Sequence, residues 1–146
     1  MSDSPSSVTL AGALRAYVDA RDAAMVIARR SLNISETDAK ALLFVAGNPG
    51  TRPTALRDYL GITGAGVTTL TDRLVNRGVV QREVDAVDRR VNRITATIDI
   101  AAAPWSELRR FDDDFEVAID DADHAQVDEL AELLATITTA TVNARV

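Results

Sequence analysis

The chain of 146 residues is 47% hydrophobic and 26% charged, which suits a single globular domain with a real core, and no apolar run approaches the roughly 18 residues of a membrane span. With no cysteine and a single histidine, His124, disulfides, thiol redox sensing and most zinc sites are excluded, in keeping with a reducing cytoplasm. The net charge of −6 is unevenly spread: residues 52–93 hold eight arginines against five acids, while residues 105–146 hold three arginines against eleven acids, an asymmetry that points to a polyanion footprint confined to the middle of the chain.

The opening "MSDSPSSV" has an acid and no basic segment, so a short arm is expected there rather than a secretory signal. Residues 8–30 read as a helix, with Leu10, Leu14, Tyr17, Val18, Met25 and Ala28 recurring at helical spacing. "SETDAKALLFVAG" starts a second helix at Ser35, a natural N-cap, with Asp38 close to a capping-box position and Ala39, Leu42, Leu43 and Ala46 as its apolar stripe. "TRPTALRDYLG" predicts a short third helix capped by Thr51 or Arg52, with Pro53 in the first turn, Leu56 and Leu60 inward, and Gly61 as the stop. "TGAGVTTLTDRLVNRG" predicts a fourth, capped by Thr63 and ended by Gly78. Its inward side is Val67, Leu70, Leu74 and Val75, and its outward side is Gly64, Ala65, Thr68, Thr69, Thr71, Asp72, Arg73 and Arg77. Two short helices joined by a Gly-containing turn form the pattern of a helix-turn-helix.

After Gly78 the period changes from 3.6 to 2. "VVQREV" and "VNRITATI" alternate like strands, and "DAVDRR", residues 85–90, lies between them as the tip of a hairpin. A long helix is expected from Pro104 or Trp105 to about Asp121, striped by Leu108, Phe111 and Phe115. A last one starts near Asp123, with Val127, Leu130, Leu133 or Leu134, and Ile137 repeating.

A helix-turn-helix running straight into a hairpin, between long terminal helices, resembles the bacterial MarR family of winged helix-turn-helix regulators. "LGITGAGVTTLTDRLVNRGVVQRE" is similar to that family's recognition helix and first wing strand, and "DAVDRR" to its wing signature. The resemblance implies a mainly α fold with a small β-wing: a single chain 1–146 with dimerisation helices at 8–31 and 104–146 and a DNA-binding region at 35–98. It implies a homodimer held by Leu10, Leu14, Val18, Leu130, Leu133, Leu134 and Ile137. Thr54, Thr63, Gly64, Thr68, Thr69, Arg73 and Arg77 would face double-stranded DNA, with Arg89 and Arg90 at the wing tip, oriented by Asp85 and Asp88. Also implied are a repressor of pseudo-palindromic operators and a small aromatic or anionic effector; no cofactor, metal or membrane is called for. The chain departs from the family pattern at the start of the recognition helix, where Gly64, Ala65 and Gly66 replace polar or basic residues. Thr69 stands where an arginine is frequent, and "ATIDIA" follows the wing.

Other readings stand beside this one. The wing arginines could be a solvated hairpin of surface ion pairs, and Gly64 and Gly66 a frayed first turn rather than a close approach to phosphate. "FDDDFEVAIDDAD" lacks the glycine and ligand order of a calcium loop, and reads as a solvated face. His124 reads as an exposed residue of a first turn, and Trp105 as an anchor or a ligand-stacking ring. No nucleophile–base pair, metal cluster or phosphate loop recommends an enzyme. A winged-helix module that docks proteins is the alternative function; little affinity for random duplex at low salt would favour it.

Overall fold

The computed structural model describes residues 8–89 and 92–144; the N-terminal arm and Arg90 lie outside the described residues. In chain order they form α1 (Leu10–Ser31), α2 (Glu36–Gly47), α3 (Pro53–Leu60), α4 (Gly64–Asn76), β1 (Val80–Val84), β2 (Asn92–Ala96), a 3-10 turn (Trp105–Leu108), α5 (Arg110–Asp120) and α6 (His124–Asn143). The chain divides into two compact units, one ending at Arg109 and the other beginning at Arg110.

The helix starts follow local cap chemistry. Thr9, Ser35, Thr63 and Asp123 each accept a backbone N–H three residues on, from Gly12, Asp38, Gly66 and Gln126, satisfying donors that the first turn leaves orphaned. Gly61 closes α3 at φ 64°, a left-handed conformation that favours glycine, so that only Gly61, Ile62 and Thr63 separate α3 from α4.

The core of the first unit is built around α2. Ala39, Ala41, Leu42 and Val45 are all buried, and Leu56 of α3, Val67, Leu70 and Leu74 of α4, and Ile94 of β2 belong to the same cluster. Burying each large aliphatic side chain contributes about 1.5–3 kcal/mol before entropy. The stripe expected on α2 is too narrow: Ala41 and Val45 are fully buried as well, because the helix is covered on more than one side.

Three further expectations are corrected. Thr71 is not on the outward face of α4; it is 2% exposed, and its hydroxyl donates to the Val67 carbonyl at 2.7 Å, which lets a polar residue sit in the core. Thr51 does not cap α3. It is buried, exchanges backbone hydrogen bonds with Ile94 at 2.9 and 2.8 Å, and so adds a one-residue third strand to the antiparallel β1–β2 pair, while Arg52 takes the N-cap position without a side-chain bond. The helix expected from residue 104 or 105 to 121 is interrupted at Arg109. Three residues per turn place Trp105 and Leu108 on one side of the 3-10 turn, packed into the core of the first unit, and α5 starts afresh in the second unit.

In the second unit Phe111 and Phe115 stack at 6.3 Å between centroids, and α5 packs on α6. Among the described residues no helix is long and apolar enough to cross a membrane.

Candidate nucleic-acid interface

The outward face of α4 is made of small groups. Thr63, Gly64, Ala65, Thr68 and Thr69 are all exposed. A Cβ on Gly64 would meet nothing within 4 Å, so the backbone itself is open at the start of the helix. The Thr68 hydroxyl donates back to the Gly64 carbonyl at 3.1 Å. Thr54, in the first turn of α3, is exposed too.

Charged side chains of α4 and its C-terminal cap are anchored within the protein. Asp72 is paired at 2.6 Å with Arg82 of β1, whose guanidinium also lies 3.4 Å from the Thr68 carbonyl, so the root of the wing is fastened to the exposed face of the helix. Arg73 binds Asp38 of α2 through two nitrogens, Nε at 2.9 Å. The carboxylate is nearly buried and the guanidinium about half exposed, which leaves outer N–H groups facing solvent. Arg77 turns the other way. It donates to the Asn33 carbonyl at 2.7 Å and to the Leu32 carbonyl, and stands 5.4 Å over the Trp105 ring. Arg77 therefore clamps the end of α4 to the α1–α2 junction, and Trp105 serves that clamp.

The wing tip is organised by one carboxylate. Asp85 accepts from the Val87 N–H at 2.8 Å, from the Arg93 guanidinium and from the Asp88 N–H at 3.2 Å. These donors hold its carboxyl down at about 2, the Val87 N–H contributing most. Arg93 in turn donates to the Gly50 carbonyl at 3.1 Å, tying the hairpin to the loop before α3. Asp85 was expected to orient Arg89 and Arg90; the β1–β2 register, with Glu83 opposite Arg93, brings Arg93 to it. Arg89 is exposed beside this turn, and Arg90 lies outside the described residues.

Sequence reasoning noted the cluster of Arg82, Arg89, Arg90 and Arg93 but left Arg82 and Arg93 out of the site residues, and read Asp38 only as close to a capping-box position. The alternation of "VVQREV" was the further signal for Arg82; Arg93 and Asp38 depend on partners brought together by the fold.

Two more features bear on function. Leu10 and Val18 of α1 and Leu130, Leu133 and Ile137 of α6 are exposed, with Leu14 and Leu134 half-buried, so each unit carries an uncovered apolar helix face. In the first unit, α1, α2 and α3 border a cleft of about 460 Å³. Met25, Val26, Leu43 and Tyr59 supply its apolar lining, and Arg21, Arg29 and Lys40 outnumber Asp22 and Glu36. Arg29 lines the cleft, and its Nε is buried without a hydrogen-bond partner among the described residues.

Residues 32–91 match the family model of the MarR family. No curated protein matches the sequence. Among solved structures, a MepR variant from a multidrug-resistant S. aureus clinical isolate is 16% identical, with a TM-score of 0.66 over 91% of this chain and 97% of that one. A S. aureus MepR variant bound to an oligodeoxyribonucleotide is 16% identical, TM-score 0.57 over 91% and 98%. Wild-type E. coli MarR in its apo form is 21% identical, TM-score 0.59 over 88% and 96%. Over residues 32–91 the chain is similar to the MarR family, and its fold is similar to that of the solved MepR and MarR structures.

Proposed function

We propose that the protein is a cytoplasmic, homodimeric repressor that binds pseudo-palindromic duplex DNA. The observation that carries this reading is the Arg82 bridge, which fixes the small-residue face of α4 beside the root of a wing within the most basic stretch of the chain. In this reading α4 enters the major groove with Thr63, Gly64, Thr68 and Thr69 toward the bases. Thr54 and the outer edge of Arg73 meet phosphates, and Arg89 and Arg90 reach the neighbouring minor groove, where arginine's planar fork suits the enhanced negative potential. Arg77 is assigned to the clamp on α1–α2 rather than to DNA. Two recognition helices related by a two-fold axis call for half-sites about one helical turn, roughly 34 Å, apart. A MepR variant was solved with an oligodeoxyribonucleotide, which supports the same partner here. The α1–α2–α3 cleft, with its apolar lining, excess of cations and unpartnered Arg29 Nε, suits a small aromatic carboxylate as effector. No observation favours an enzyme.

The test is binding to random duplex across a salt series. Affinity should fall steeply, with a log–log slope of roughly −0.9 per phosphate neutralised. Arg90→Ala should flatten that slope by about 1 and weaken binding while leaving the dimer intact. Negligible affinity at low salt would instead favour a protein-docking module. Unchanged binding by Arg90→Ala would remove the wing from the interface.

A further inference from the structure

Hydrogen-bond readout of base edges relies on long, forked side chains: arginine on guanine, asparagine or glutamine on adenine. On α4 and its C-terminal cap the charged side chains already have partners within the protein. Asp72 is held by Arg82 at 2.6 Å, Arg73 by the Asp38 carboxylate, and Arg77 by the carbonyls of Leu32 and Asn33. Asn76 is the last residue of the helix, about 10 Å along the axis from Thr69 at 1.5 Å per residue. The hydroxyl proton of Thr68 is committed to the Gly64 carbonyl, and the Thr63 oxygen accepts from Gly66 N–H. What the exposed face offers therefore includes the methyl groups of Ala65, Thr68 and Thr69, with the Thr69 hydroxyl beside them. Gly64 has open space where a side chain would stand, so the helix can sit closer to the floor of the groove.

We infer that this recognition helix reads thymine through its 5-methyl group, with threonine and alanine methyls packed against it, and that hydrogen bonds to guanine contribute little. The inference rests on the duplex-binding reading above. Thymine is the one standard base with a methyl in the major groove, so apolar contact there carries sequence information without any forked donor.

The experiment starts from an operator selected out of a random duplex library. Replacing half-site thymines by uracil removes only the methyl. Affinity should drop about fourfold per contacted methyl, the effect of burying one methyl-sized group. Replacing guanines by 7-deazaguanine, which lacks the N7 acceptor, should change nothing. On the protein side, Thr69→Ser should bind the thymine operator as weakly as wild type binds the uracil one, with no further loss when the two are combined. Thr69→Val, which keeps methyls and loses the hydroxyl, should bind normally; thermal melts confirm that both variants are folded. Indifference to uracil in a protein that still binds duplex with a steep salt slope would overturn this inference alone. So would a loss caused by 7-deazaguanine or by Thr69→Val. A protein that ignores duplex at low salt fails the DNA reading, and this inference with it.

Discussion

Asp85 draws its importance from its donors. The Val87 N–H, the Arg93 guanidinium and the Asp88 N–H all favour the charged carboxylate, and together lower its pKa from 3.8 to about 2. A folded-state value below the unfolded one means that the stabilisation of the wing tip is fully present above about pH 4. It is lost as the pH falls through about 2. The Val87 amide shift, followed by NMR, should therefore titrate with a midpoint near 2, and the step should vanish in Asp85→Asn. A midpoint near 4 would show a carboxylate that holds neither backbone nor arginine. The sequence made part of this legible: an aspartate followed two and three residues later by backbone donors is local turn chemistry. The pairing with Arg93 was not legible, because strand register decides it.

At the scale of elements the same division recurs. The helix-turn-helix could be read directly, since Ser35, Thr63, Gly61 and Gly78 act within a turn of their own positions. Thr51 could not, because its partner Ile94 is 43 positions away in the chain and its own neighbours suggest a cap. Nor could the width of the buried face on α2, or the clamp of Arg77 on Leu32 and Asn33, since both follow from packing between elements. The cleft bordered by α1, α2 and α3 is likewise invisible to periodicity, and it carries a prediction at this scale. Arg29 adds a cation to the lining of the cleft, and a carboxylate bound there would pair with it. Benzoate in millimolar excess should raise the melting temperature of the wild-type protein by mass action. Arg29→Met, which keeps the alkyl stem, should melt near the wild-type temperature without benzoate and lose the shift. An equal shift in both proteins would remove Arg29 from effector binding.

The molecule as a whole separates its charges along the chain. The eleven acids of residues 105–146 would repel a phosphate backbone, whereas the +3 stretch of residues 52–93 would attract it, as the proposed function requires of the winged region. Solubility of the acidic end does not explain Leu130, Leu133 and Ile137, which stand exposed along one helix at spacings of three and four, a continuous stripe rather than scattered single residues. A second copy of the chain would bury that stripe, and the palindromic operator proposed above requires such a pair. Light scattering should give about twice the 15.7 kDa chain mass at micromolar concentration, with a melting temperature that rises with protein concentration. Leu133→Asp places an unpaired charge in the stripe and should shift the mass toward 15.7 kDa. Because phosphate contacts in one winged region survive, the variant should keep weak, salt-sensitive affinity for random duplex while losing its preference for a palindrome over a single half-site. A wild-type protein that stays at the chain mass at these concentrations, or a Leu133→Asp variant that remains dimeric and palindrome-selective, would assign the stripe on α6 some other role.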